Sequence, residues 1–292
     1  MKPAPFEYYA PATADEALAR LAEHGWDAKV LAGGQSLVPL MNFRLSQPAV
    51  IVDLNNVSQL FYIRPDDGGG LRLGAMTRQH TLEHHPLISE RSPLLHETIP
   101  NIAYPQIRSR GTLGGSIAHA DPAAELAAVS LVLNARFRLR SQSAERWVPA
   151  GEFFVGLFMT VLEPEELLVE IALPPMPERS GWSFMEVTRR HHDFAMAGIA
   201  AMVTLDDAGR CSEARIAFLS VGDGPVDARQ ASAALEGQEV TEEAILSAAE
   251  IAASADVDPG NDIHASAEYR RHLARVLAVR ALTQAVQRAS ES

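Results

Sequence analysis

Apolar and polar positions change period several times along the chain, and each change marks an element. Residues Thr13 to Gly25, TADEALARLAEHG, space their apolar side chains as a helix does. Thr13 is placed as its N-cap, Glu16 as the capping-box partner three residues on, and Gly25 as its stop. DAKVLAGG then predicts a short buried strand. SLVPLMNFRL predicts a short helix opened by Ser36, with Pro39 tolerated in the first turn. AVIVDL predicts a second strand. Strand, glycine loop, helix and strand in this order make an α/β opening.

FYIRPDDGGGLRLGAMT reads as a hairpin turning at Asp67 and three glycines. Thr77 to Asn101 carries two helical stretches parted near Pro86. A second glycine pair, Gly114 and Gly115, precedes an Ala- and Leu-rich helix from about Pro122. ARFRLR and ELLVEIALPP are strand-like, the latter ended by Pro174 and Pro175. PPMPERSG is a Pro-rich connector, which sets a domain boundary near residue 178. Beyond it come three strand-like runs, WSFMEVTR, AMAGIAAMVTL and EARIAFLSVG, with DDAG as the turn between the last two. Three helical stretches then follow, beginning at DARQASAALEG, TEEAILSAAEIAASA and SAEYRRHLARVLAVR.

Bulk properties narrow the class. The 292 residues suffice for two domains. A net charge of −12 disfavours nucleic acid and anionic membrane surfaces, which recruit Lys and Arg clusters. The single cysteine, Cys211, rules out a disulfide framework, a Cys-based zinc site and an iron–sulfur cluster held by this chain. MKPAPFEYYAPAT has no apolar signal-peptide core, and no apolar run approaches the ~20 residues of a membrane span. The expected compartment is the cytoplasm, with no metal held by this chain.

The two glycine loops carry the strongest candidate chemistry. Adjacent glycines free the backbone to turn several N–H groups toward one point, and a following helix adds the positive end of its dipole. Leu31 to Asn42 contains no cation, so an anion there would be held by main-chain amides. The alternative reading is a tight strand-to-helix turn. Neither loop is G-x-G-x-x-G or G-x-x-x-x-G-K-[ST], so spacing alone stops at a diphosphate bound by backbone. His80 and His84, at i and i+4 around Glu83, have metal-ligand spacing but no third ligand, and a wet helix face is the plainer reading. His119 and Asp121 read as a loop-stabilising pair. TRRHHDFAMAG reads as a solvated turn between two strands. No G-x-S-x-G elbow is present.

AGGQSLVPLMNFRL, YPQIRSRGTLGGSIAHADPAAE and FMEVTRRHHDFAMAGIAA together resemble the FAD-binding medium subunit of the molybdenum hydroxylases. This group contains carbon monoxide dehydrogenase, xanthine dehydrogenase and dehydrogenases of N-heterocycles and nicotine. The resemblance covers nearly the whole chain. It implies an α+β fold: a two-subdomain FAD-binding domain of the PCMH type over 1–177 (subdomains about 1–57 and 58–177), then an α/β C-terminal domain of the CO dehydrogenase flavoprotein type over 178–292, a three-stranded sheet with helices.

The resemblance assigns Ala32, Gly33, Gly34, Gln35, Ser36 and Leu37 to one wall of the FAD diphosphate site and Thr112, Leu113, Gly114, Gly115 and Ser116 to the other. Glu125 stands where the family has an acidic residue, usually Asp, that bonds the hydroxyl-bearing part of the flavin. Ile102 and Leu168 match apolar positions lining the cofactor. Phe194 falls beside the isoalloxazine ring, where it stacks without hydrogen bonding. Arg189 and Arg190 are interface candidates. No residue is implied as nucleophile or base. The implied partners are a large subunit with the molybdenum cofactor and a small subunit with [2Fe–2S] clusters, assembled as a dimer of heterotrimers. Two other classes stay open: a free-standing FAD-dependent oxidoreductase with its own substrate, and a flavin-free assembly module, against which the intact glycine loops argue.

Overall fold

Capping and spacing build the first helix as the sequence predicts. The structure, a computed structural model, describes residues 2–291. Thr13 Oγ1 accepts from the Glu16 amide at 3.2 Å. The Glu16 carboxylate accepts from the Ala12 amide at 2.8 Å, one residue before the position a capping box uses. Ala14, Ala17, Leu18 and Leu21 bury one face of the Ala14–His24 helix against a three-stranded parallel sheet. Val50–Asp53 is the central strand, between Glu7–Tyr9 and Ala28–Leu31. The Glu7–Tyr9 strand has no signal in the sequence. Its side chains are half to fully exposed, and it forms because its backbone pairs with the central strand.

Three sequence expectations are corrected in this half. Ser36 sits in the αR region and makes no side-chain cap bond to the Leu37–Asn42 helix. The 77–101 stretch holds three helices, Gln79–His84, Pro86–Arg91 and Pro93–Thr98, because Pro93 opens a new helix after Ser92. The helix expected from about Pro122 begins at Glu125. Asp121 holds the preceding residues in a turn, accepting from the Ala123 amide with its side chain and from the Ala124 amide with its carbonyl, both at 2.9 Å.

The second sheet is antiparallel, in the order Ile63–Pro65, Leu71–Gly74, Leu167–Leu173, Arg136–Arg140, Glu145–Pro149. The predicted hairpin forms its first two strands. Glu170, 2% exposed on the central strand, accepts from Arg64 at 3.0 Å, Arg72 at 3.1 Å and the Tyr62 hydroxyl. A buried carboxylate so fully partnered is not orphaned.

The three predicted C-terminal strands, Ser180–Thr188, Ala195–Leu205 and Cys211–Leu219, pair antiparallel, with a two-residue fourth strand, Val226–Asp227, added at the edge. Ala197, Ile199, Ala201 and Val203 pack on the core under the Ala267–Glu291 helix, with Leu273, Leu277 and Ala281. Ala195, Ala200 and Met202 pack on the other core, with Leu126, Val129 and Leu168. Burial on both faces is why AMAGIAAMVTL reads as a continuous apolar run and not as an alternation. Hydrogen bonds also cross the same junction. Glu97 accepts from the Phe184 amide at 3.1 Å and from Arg288 at 2.7 Å, and the Ser220 amide donates to the Pro122 carbonyl at 2.8 Å. Among the described residues no helix is long and apolar enough to cross a membrane.

Candidate functional site

Leu31, the last residue of its strand, pairs with Asp53, and the chain then turns away from the sheet through Ala32 to Ser36. Gly34 makes the turn at φ +75°, a region that costs a side chain dear. Gly33 lies flat against a second segment. A Cβ there would fall 2.3 Å from the Arg110 carbonyl oxygen and 2.8 Å from Gly111 Cα. Ala32 Cβ in turn stands 3.2 Å from where a Gly115 Cβ would lie. The two glycine turns therefore meet, although their positions in the chain are far apart.

The first turn is held by its carbonyls and leaves its amides free. Ala32 O accepts from Asn55 Nδ2 at 3.0 Å, Gly33 O from Gln35 Nε2 at 2.9 Å and Gly34 O from the Val38 amide at 3.1 Å. The amides of Gly33, Gly34, Gln35 and Ser36 donate to no acceptor among the described residues. The first three of these residues border a cleft of about 300 Å³ lined also by Leu31, Val38, Pro39 and Arg110. Successive free N–H groups beside a glycine surface fit an anion such as a diphosphate.

The second turn is different. Its amides are spent inside the fold: Leu113 N donates to Thr77 O at 2.9 Å, Gly114 N to Ala75 O at 2.8 Å, Gly115 N to Thr112 Oγ1 at 3.1 Å and Ser116 N to Thr112 O at 3.2 Å. Thr112 and Leu113 are buried at 2% and 3% exposure. The two turns are thus unlike in their hydrogen bonding. One turn presents donors, and the other is a fixed brace that opens the Leu113–His119 helix.

The remaining expected residues divide in the same way. Ile102 and Leu168 are buried in one apolar core with Leu113 and Ile117, so they back the second turn from behind. The segment bearing Ile102 is pinned by Arg108, which donates to Ile102 O at 3.0 Å and Ala103 O at 2.8 Å. Arg108 also donates to both Glu83 carboxylate oxygens, at 2.9 and 3.0 Å, and holds that carboxyl below its usual range. Ligand atoms of His80, Glu83 and His84 lie within 4.8 Å of one another. Glu83, the third residue of this group, is committed to Arg108.

Glu125 heads its helix beside Asp121, and burial pushes its carboxyl up to about 7. Across the junction, burial and the Glu125 charge raise Glu186 to about 8, and Glu186 Oε2 is buried without a hydrogen-bond partner. Nothing in the sequence pattern pairs these two carboxyls. His119 packs its ring 5.2 Å from Phe158, the tip of an exposed apolar hairpin of Phe154–Gly156 and Met159–Thr160. Burial lowers the basicity of His119. The Arg189–Phe194 turn does join two strands as expected. His192 in that turn stands 5.2 Å from the Tyr104 ring, and Phe194 is 77% exposed.

Sequence reasoning also missed three residues that shape the cleft. Arg110 is two residues before Thr112 in RSRGT, so its motif position was available as a signal. Asn55 and Arg78 had none. Arg78 donates to the Arg110 carbonyl and, at 2.5 Å, to Asn55 Oδ1.

Comparison with known proteins agrees with this geometry. The family described as the FAD binding domain in molybdopterin dehydrogenase matches residues 4–176. The CO dehydrogenase flavoprotein C-terminal domain matches residues 182–285. The 6-hydroxypseudooxynicotine dehydrogenase complex subunit alpha of Paenarthrobacter nicotinovorans is 44% identical, covering 99% of this chain and 97% of its own. A chain of carbon monoxide dehydrogenase from Hydrogenophaga pseudoflava superposes with a TM-score of 0.95 at 40% identity, covering 99% of each chain. A chain of quinoline 2-oxidoreductase from Pseudomonas putida 86 does so with a TM-score of 0.93 at 38% identity, covering 99% of each. With family matches over both halves and relatives of this identity along its whole length, the chain belongs to the FAD-binding subunits of the molybdenum hydroxylases.

Proposed function

We propose that this chain is the electron-transfer subunit of a molybdenum-containing hydroxylase or dehydrogenase. It takes electrons from [2Fe–2S] clusters of a small partner subunit and passes them to an external acceptor. A large partner holds the molybdenum cofactor, and the complex is a cytoplasmic dimer of heterotrimers. The observation that carries the reading is the meeting of the two glycine turns beside one cleft lined by Gly33, Gly34 and Gln35, whose amides are unspent.

FAD, when bound, supplies a centre that accepts electrons singly and releases them singly or in pairs. The chain's own residues have simpler tasks. The amides of Gly33 to Ser36 hold the diphosphate. Leu113, Gly114 and Gly115, fixed by Ala75 and Thr77, keep the opposite wall from moving. Glu125 offers its carboxyl to hydroxyl groups, and Phe194 offers its ring face to the isoalloxazine. Ile102 and Leu168 keep bulk water from the back of the second turn. No side chain acts as nucleophile or general base. The names of the relatives cite unrelated molecules, among them carbon monoxide and quinoline, which suits a chain whose task is common to all of them.

Purification of the complex from its native host tests the reading. The expected result is a yellow complex of three polypeptides whose flavin absorbance bleaches when the large subunit's substrate is added anaerobically. A complex whose flavin stays oxidised while its iron–sulfur absorbance bleaches would overturn the proposed electron path.

A further inference from the structure

The lining of the cleft includes an arginine that the glycine motifs do not account for. Arg110 lines it, and its carbonyl oxygen is the atom against which Gly33 packs. Arg78 is half-buried behind that carbonyl, donating to it and to Asn55 Oδ1, with its guanidinium 5.4 Å from the Phe61 ring centroid. The two arginines are close enough for each charge to act on the other, and burial together with the Arg110 charge lowers the Arg78 guanidinium from its ordinary value. Among the described residues neither forms an ion pair with a carboxylate. Asp53, the acidic group nearest in effect, already accepts from the Tyr8 hydroxyl at 2.6 Å and from the Asn55 amide at 2.9 Å. In a chain of net charge −12, two neighbouring cations with no ion pair among the described residues, and with Asp53 as the carboxylate acting on Arg78, are held against their mutual repulsion.

We propose that Arg110, positioned through its carbonyl by Arg78, is the cation that neutralises the cofactor's diphosphate in this cleft. The inference rests on the FAD reading and deepens it. Because the second turn has spent its amides, the charge on the diphosphate falls to the first turn's amides and to this arginine. Arg110 is the residue that touches the phosphate. Arg78 is a positioning residue, which fixes the backbone that both glycine turns share and adds its charge from behind.

The test uses the full-length protein stripped of flavin, with FAD and riboflavin as probes and fluorescence quenching as readout. Riboflavin lacks the diphosphate but keeps the ring. The expected result is that Arg110→Gln weakens FAD binding about tenfold or more, flattens its dependence on salt concentration, and leaves riboflavin binding unchanged. Arg110→Lys keeps the charge and should restore the salt dependence and part of the affinity. Arg78→Lys, with the packing of Arg78 largely kept, should give an intermediate loss. FAD binding by Arg110→Gln as tight and as salt-dependent as in the native protein would overturn the assignment alone. Equal losses for FAD and riboflavin would overturn it too, since they mark a general defect of the cleft. A native protein that takes up riboflavin but gains nothing from the FAD diphosphate would overturn the cofactor reading as well.

Discussion

The two glycine turns look alike in sequence and do opposite work. Gly33–Gly34 and Gly114–Gly115 each follow an apolar residue and precede a Ser within two positions. At the first, carbonyls are tied down and amides are open to the cleft. At the second, three successive amides are tied to Thr77, Ala75 and Thr112 before any ligand arrives. A glycine pair therefore marks close backbone approach. What the amides then do depends on which carbonyls the rest of the fold brings near.

The largest effect expected on this comparison comes from Gly33→Ala, which puts a methyl carbon 2.3 Å from the Arg110 carbonyl and forces the turns apart. Overpacking of this kind costs about 1–3 kcal/mol. FAD content per polypeptide should fall by most of its native value and the melting temperature should fall with it. Retention of full flavin content would show that the turns need not touch.

Next is a pH effect where the helix begun by Glu125 meets the Ser180–Thr188 strand. The Glu125 and Glu186 carboxyls titrate at about 7 and about 8, above the usual carboxylate value near 4.5. The folded protein thus holds protons that the unfolded chain releases. The stability from these groups is complete below about pH 4.5 and drains away as pH rises toward 8. Glu186→Gln should therefore raise the melting temperature at pH 8 by several degrees and change it little at pH 5. A gain of equal size at both values would place the cause in packing.

Thr112→Val and Ser36→Ala sharpen the contrast between the turns. Thr112 Oγ1 caps the Gly115 amide, so its loss should cost about 1 kcal/mol of stability, read from denaturant unfolding of the flavin-free protein. Ser36 makes no cap bond, so Ser36→Ala should stay within about 0.5 kcal/mol of native in the same assay. Equal losses would mean that both turns are braces.

Local physics was readable in the sequence wherever it was sufficient. Thr13 and Glu16 marked a helix start, the 66–70 turn marked a hairpin, and AMAGIAAMVTL marked a strand. Both glycine pairs were visible as loops. Their unlike hydrogen bonding was not, because it depends on Ala75 and Thr77, which the hairpin delivers from a distant part of the chain. Asn55, Arg78 and Arg110 converge for the same reason: the parallel sheet sets Asp53 beside Leu31, and the chain beyond it folds back over both. The charge interaction of Glu125 with Glu186 joins a helix of one half to a strand of the other, and neither residue's place in the sequence indicates the other. The Glu7–Tyr9 strand was invisible because its side chains carry no burial pattern.

The Ala195–Leu205 strand, walled on either side by a different apolar core, has a practical consequence. A chain severed in the 174–179 connector would leave two fragments, each with an oily flank and nothing to cover it. Produced separately, such fragments should aggregate; produced together, they should reassemble on that flank. Engineers who wish to graft this flavin module onto another enzyme must therefore transplant it whole.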